Sequence, residues 1–241
     1  MSRPAPSDNR EQRRAEIVAA GLGLLEERGL DGLSLRGVAH ALGMHAPGLY
    51  WYIEGKQELI DLVARAILDD GLGDVGPPAP GEGWEEWLTA SALRIRRTLL
   101  AHRDGARVVA SAFLFRTNSL TGFLELALET LEAEGFTRDF AMLGAMTVMR
   151  YTVGIALDDQ ESPAREPAVR QRMLEQAMER SAPVVAERWP RVADVMSRWF
   201  AAVRTKGDHH DHAEMHFRHG LALVIAGIRS ELKKPATGKA H

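Results

Sequence analysis

Three large aromatic side chains stand in a row in GMHAPGLYWYIEGK, residues 43–56, and their neighbours restrict what the segment can become. Consecutive residues of a helix or strand cannot all face one core. Tyr50, Trp51 and Tyr52 therefore cannot all be buried together. Leu49 and Ile53 stand four apart and share a helix face. Once these two turn inward, the three rings are left on or near the outer side, with His45, Pro47 and Gly48. The preceding stretch, SLRGVAHAL, has its own apolar face in Val38 and Leu42, and Ala39 is small enough for close helix approach. Ser34 can cap that helix, and Gly43 allows a sharp turn. Two short helices are expected, 34–42 and 46–52. A third starts near Lys56, with Leu59, Val63 and Ala66 on one face.

Helical periodicity continues through the rest of the chain. Ala15, Val18, Leu22 and Leu25 repeat at helical spacing, with Asp8 or Asn9 as a cap and Gly29 as a stop. GLGDVGPPAPGEG (71–83) is a break, with five glycines and three prolines. Beyond it, helices are expected near 84–101, 104–115, 119–134, 138–155, 166–180, 190–206 and 212–232. No strand-period segment of useful length occurs. The expected fold is all-α: an N-terminal arm and three-helix domain over 1–56, then a connecting helix and larger helical body over 57–241.

Composition narrows the class. The 241 residues are 45% hydrophobic and 26% charged, enough for a substantial core. With no cysteine, disulfides and thiolate metal sites are excluded. MSRPAPSDNREQRRAE lacks the apolar core of a signal peptide, and no uninterrupted apolar run reaches the roughly 18 residues of a membrane span. A cytoplasmic protein without membrane partners is expected.

In a helix-turn-helix, the first short helix braces the second, which enters the DNA major groove. Residues 34–56 suit that use. Tyrosine hydroxyls can donate to phosphate oxygens and position the helix on a duplex. Lys56 can pair with a phosphate, Gly48 permits close backbone approach, and Arg36 can reach a guanine edge or a phosphate. The competing reading is an aromatic cluster packed between helices, and Trp51 alone fits partial packing. Net charge is −3, and residues 1–56 hold seven Lys/Arg against seven Asp/Glu. Affinity for DNA must therefore come from placement: Arg3, Arg10, Arg13 and Arg14 in the arm, Arg36 and Lys56 in the motif.

With its LYWY run, Lys56 and the following ELID after a glycine turn, the segment resembles the DNA-binding domain of the TetR family of bacterial transcriptional repressors. AHRDGARV (101–108), EGFTRDFAM (134–142), YTVGIALDDQE (151–161) and FRHGLALVIAGI (217–228) resemble the body of the tetracycline-repressor subgroup. The resemblance spans most of residues 10–230. It implies an all-helical homodimer that releases a double-stranded operator when a small molecule enters the C-terminal body. It also implies a DNA-contacting set at Arg36, Ala46, Pro47, Gly48, Tyr50, Trp51, Tyr52 and Lys56, to which the residue-level reading adds Ser34 and His45. Arg36, Pro47, Tyr50, Trp51 and Lys56 match the repressor's residue types. Ala46 and Gly48 replace polar side chains, and Tyr52 replaces a histidine, so a different operator sequence is expected.

The body departs further. Positions that contact tetracycline in the repressor fall on Leu72, Ser91 and Ile95, and its magnesium-binding histidine falls on Val109, which cannot coordinate a metal. Asp158 keeps a carboxylate near an outer-shell position, but a lone carboxylate is not a site. Magnesium–tetracycline is not expected as the effector, and no cofactor or metal is expected. An apolar pocket with a few polar anchors is expected from Trp87, Ser91, Ile95, Phe113, Asn118, Met142, Met146, Arg150 and Tyr151, although methionines and aromatics at this spacing also suit plain core.

Two late helices carry apolar stripes, Val192, Met196, Trp199 and Val203 on one, Phe217, Leu221, Val224 and Ile228 on the other. They suit a four-helix interface between two copies, which two half-sites about 34 Å apart would require. Burial inside one subunit gives the same pattern. Three signals are set aside. GLGDVG (71–76) follows a helix and runs into prolines, so it is no dinucleotide fingerprint. HRD (102–104) lacks the asparagine and glycine-rich loop of a kinase. His212, His216 and His219 share a helix face that could take a transition metal, but a solvated helix start explains them. The alternative from another class is a helical enzyme or carrier with a degenerate DNA head.

Overall fold

The computed structural model describes residues 6–114, 117–161, 176, 180, 183–206 and 209–232. Among these no strand occurs, as the periodicity requires. The helices are α1 (Pro6–Gly32), α2 (Leu35–Ala41), α3 (Ala46–Leu49), α4 (Lys56–Leu72), α5 (Trp84–Ala101), α6 (Gly105–Ala110), α7 (Asn118–Ala133), α8 (Arg138–Glu161), α9 (Pro190–Lys206) and α10 (His209–Leu232). The helix expected at 166–180 falls almost wholly outside the described residues. The chain divides into two units: Met1–Gln160 with Leu223–His241, and Glu161–Ala222.

Within the first unit α4 is the central element, packing on α1, α5, α6 and α7. A helix enclosed by neighbours must be apolar on more than one stripe. α4 accordingly buries Leu59, Ile60, Leu62, Val63, Ala64, Ile67, Leu68 and Leu72, more than the single face expected, while Ala66 is only half-buried. α5 answers with Trp84, Trp87, Leu88, Ala92, Ile95 and Leu99. Trp87 stacks on Phe123 of α7 at 5.6 Å between ring centroids, and its indole N–H donates to the Gly76 carbonyl at 2.8 Å. The glycine–proline break is thereby tied to the core. Trp84 meets Phe136 edge-on at 5.4 Å.

The structure corrects several local expectations. α1 starts at Pro6, ahead of the expected caps, and its buried face is Ile17, Gly21, Leu24 and Leu25. Of the expected stripe, Ala15 is exposed and Val18 and Leu22 are half-buried. α1 breaks at Gly29, whose φ of 70° is left-handed, yet helical residues resume to Gly32. α6 ends at Ala110, short of the expected 115. There the Phe113 N–H leaves the helical ladder and donates instead to Asp61 of α4 at 3.0 Å.

α8 runs six residues beyond its expected end at 155. By length and composition it also meets the test for crossing a bilayer, with mean hydropathy 1.5 over its most apolar window. The average combines two faces. Ala141, Ala145, Val148, Thr152 and Ala156 are buried in the protein, while Met142, Leu143, Thr147, Arg150 and Gly154 are exposed.

Candidate nucleic-acid interface and effector body

The helix-turn-helix is built from its caps outward. The Ser34 hydroxyl accepts the Gly37 N–H at 3.2 Å and starts α2. After Leu42, Gly43 takes a left-handed φ of 63°, and the Met44 N–H returns to the Ala39 carbonyl at 2.8 Å. That closed turn separates α3 from α2 while the two stay packed together. Val38 and Ala39 are buried, and Leu42 is half-buried. α3 is a single turn, Ala46–Leu49, rather than the expected 46–52. The chain then tightens, with the Tyr52 N–H donating to the Leu49 carbonyl at 2.9 Å, an i→i−3 bond of the 3₁₀ type.

Leu49 and Ile53 are 0% and 1% exposed, whereas Tyr50 is 60% and Trp51 80% exposed. Arg36, His45, Pro47 and Lys56 are exposed, and Ala46, Gly48 and Tyr52 half-buried. Of the expected DNA-contacting set, Arg36, His45, Pro47, Tyr50, Trp51 and Lys56 are thus open to solvent. The arm arginines that the structure describes belong to a helix. Arg10, Arg13 and Arg14 lie on α1. Arg13 pairs with Glu16 at 2.6 Å, Arg14 with Glu58, and Arg10 approaches the Trp51 carbonyl at 3.5 Å. Arg3 lies outside the described residues. Glu58 is a further residue at the edge of the head, outside the set that the motif marks. Besides holding Arg14, it accepts the Glu54 N–H at 2.5 Å. It thus fixes the turn that delivers Lys56, and its signal was an acidic residue in the first turn of α4.

In the body, the expected effector residues separate. Trp87, Ser91 and Ile95 share the buried face of α5, with the Ser91 hydroxyl bonded to the Trp87 carbonyl at 2.9 Å. Met146 and Tyr151 are half-buried. Phe113 is 70% exposed, and Asn118, Met142 and Arg150 are exposed, so these four do not line an enclosed space. Leu72 and Val109 are buried and apolar. Asp158 is exposed. The part-buried carboxylate is its neighbour Asp159, which accepts from buried Arg96 at 2.7 Å. No spacing rule marks Arg96, because its partner is 63 residues away. Burial pushes the Tyr151 phenol pKa up, with Arg96 opposing and Asp159 reinforcing the shift.

The expected dimer stripes separate as well. Phe217, Leu221 and Ile228 are already covered within one chain, and Val224 is half-buried, so three of the four are not free to meet a second copy. Val192 and Met196 are exposed, and the side chains of Trp199 and Val203 lie outside the described residues. So does that of His212. His219 Nδ1 lies 2.8 Å from the Met215 carbonyl.

Comparison with known proteins adds the following. Residues 77–232 match the family described as tetracyclin repressor-like, C-terminal domain, and residues 17–63 match the bacterial regulatory proteins of the tetR family. The chain is 35% identical over 151 residues to the tetracycline repressor protein class D of Escherichia coli, covering 63% of this chain and 68% of the relative. Its structure is similar to that of a TetR variant from Acinetobacter baumannii AYE in complex with minocycline (TM-score 0.65, 29% identity, 91% and 97% of the two chains). It is also similar to the Streptomyces coelicolor TetR family protein ActR in complex with (S)-DNPA (TM-score 0.72, 27% identity, 90% and 97% of the two chains).

Proposed function

The chain belongs to the TetR family of bacterial transcriptional regulators, in its tetracycline-repressor-like branch, and on that premise we propose that it is a homodimeric repressor of a palindromic operator. A small, largely apolar effector other than magnesium–tetracycline releases it. DNA binding and response to small molecules come with the family, which is one of regulators rather than enzymes. We place the DNA-reading head in residues 1–56 and the connecting helix and body in 57–241, and the protein acts in the cytoplasm, where its operator lies.

The observation that carries the reading is the two-layered turn at the head. Leu49 and Ile53 are buried beside an exposed Tyr50 and Trp51. Two exposed rings beside a lysine and an arginine suit a duplex: tyrosine O–H and indole N–H donors position on phosphates, and Arg36 and His45 reach base edges. With Ala46 and Gly48 small, close backbone approach and groove shape supply part of the readout.

For the effector, buried Val109 and Leu72 offer no metal ligand, which supports an apolar occupant beside Trp87, Ser91, Ile95 and Tyr151. Effector binding works only through its differential affinity for two conformers, with α4 as the lever between body and head. For the dimer, we assign the exposed face of α8, including Met142, Leu143 and Arg150, with Leu223, Ala226 and Gly227 of α10. The two helices touch where Ile228 lies against Gly144, so one chain presents both to its copy. Leu223 is 76% exposed, and small residues beside it permit close helix approach.

A mobility-shift assay on the DNA upstream of the protein's own gene tests the reading. Wild type is expected to retard it, and the Tyr50→Ala, Lys56→Ala double variant to lose most of that affinity. Equal binding by both, or no binding to any duplex, refutes the head's role. Release by micromolar tetracycline with magnesium refutes the effector assignment.

A further inference from the structure

The HRD tripeptide has no catalytic setting, yet among the described residues it sits in a cluster of polar contacts with the head. Asp104 caps the α1 break from outside: the Leu30 N–H, the amide after Gly29, donates to its carboxylate at 2.8 Å. Arg103 covers the other side of the same break. Its guanidinium donates to the Glu27 carbonyl at 2.6 Å and the Glu26 carbonyl at 3.4 Å, both on the N-terminal side of the break. The Glu26 side chain reciprocates, accepting the Arg103 N–H at 3.3 Å on each oxygen, and lies 3.1 Å from His102 Nδ1. Arg107 adds Asp31 at 3.4 Å and Asp104 at 3.7 Å.

Two conformational features mark this turn. Asp104, with φ 55°, is the one positive-φ non-glycine residue among those described. As the N-cap of α6 its side chain makes no capping bond there, because the carboxylate is turned toward α1. Gly29, at φ 70°, has no room for a side chain: a Cβ would meet the Asp104 carboxylate and Arg103 Nε. Strain of this kind persists only where surrounding structure holds it. On the body side, a residue of α8 adds three bonds to the turn. Gln160, near the end of α8, accepts the Ala106 N–H at 2.8 Å and donates to the Leu99 and His102 carbonyls at 2.9 and 2.8 Å.

We propose that the 102–105 turn is the joint that sets the orientation of the DNA-reading head. Arg103 and Asp104 are its positioning residues toward α1, and Gln160 ties the joint to α8. The assignment rests on residues 1–56 being the DNA-reading head, and it extends that reading by giving α8 a route to the head separate from the α4 lever. A change at the α8 end that moves the Gln160 amide alters the turn, and the turn alters α1 at Gly29.

Hydrogen exchange by mass spectrometry on the full chain, without DNA or effector, tests it. Asp104→Gly keeps the positive-φ backbone and removes the cap, together with the longer contact to Arg107. It is expected to accelerate exchange in the peptide covering 27–33 by about tenfold while peptides of α5 and α7 keep wild-type rates. Asp104→Asn, which retains an acceptor oxygen, is expected to restore protection. Gln160→Ala touches no head residue, yet it is expected to accelerate the same 27–33 peptide. The proposal is overturned if Gln160→Ala changes only 99–108, if Asp104→Gly leaves 27–33 unchanged, or if either variant speeds exchange uniformly. Since no DNA enters the assay, its failure leaves operator binding standing, and failure of operator binding leaves the joint standing.

Discussion

Replacing Leu49 and Trp51 by alanine, one at a time, separates the two layers of the recognition turn. Leu49 has no exposed surface. Its truncation removes three buried carbons and leaves a cavity, a cost of about 3 kcal/mol. For a chain of this size that lowers the thermal midpoint by about 6–12 °C. Trp51 keeps only about a fifth of its surface covered. That is about 40 Å² of a large aromatic's area, so its truncation costs about 1 kcal/mol or less. Its effect is expected on DNA instead, where losing one indole donor to a phosphate weakens operator binding by about tenfold or more. Thermal denaturation at fixed protein concentration and fluorescence anisotropy on labelled operator read the two effects separately. A Trp51→Ala midpoint as low as that of Leu49→Ala would make the ring a core element. Unchanged operator affinity would remove it from the DNA face. Either result refutes the two-layer account.

Three further outcomes are expected. Asp159→Ala takes the carboxylate away from a buried guanidinium and costs about 3 kcal/mol, whereas Arg96→Met leaves a carboxylate that water still reaches and costs about 1 kcal/mol, as urea midpoints should show; equal costs contradict the burial asymmetry. The Tyr151 phenol has a folded pKa above its ordinary value of 10.0, so the folded state holds that proton longer than the unfolded one. Its stabilising effect is complete below pH 10 and is lost as pH rises beyond it. Tyr151→Phe is expected to flatten that loss in alkaline denaturation, and an unchanged slope contradicts it. Leu143→Asp is expected to shift the sedimentation coefficient from dimer to monomer, and a persistent dimer would move the interface off α8.

The head was legible in the sequence because its information is local. Leu49 and Ile53 at helical spacing, a capping serine and a turn glycine lie close together along the chain, and the structure keeps them in those roles. The length of α3 was not legible, since Gly48 weakens the helix and the return of the Tyr52 N–H to Leu49 depends on how the next turn packs. The body was less legible for a different reason. An apolar stripe such as Phe217, Leu221 and Ile228 reads the same whether it faces its own chain or a second one, and Phe113 and Met142 look like pocket lining until their exposure is known. Arg96 with Asp159, and Asp104 with Leu30, pair residues too distant in sequence for any spacing rule to join. The HRD tripeptide was visible, but its partners were not.

Footprinting of the DNA upstream of the protein's own gene reads the head and the dimer together. Two symmetric half-sites whose centres lie about 34 Å apart on one face of the duplex are expected to be protected, and the protection is expected to be lost with Tyr50→Ala, Lys56→Ala. Protection of a single half-site, or protection that the double variant retains, would contradict that expectation.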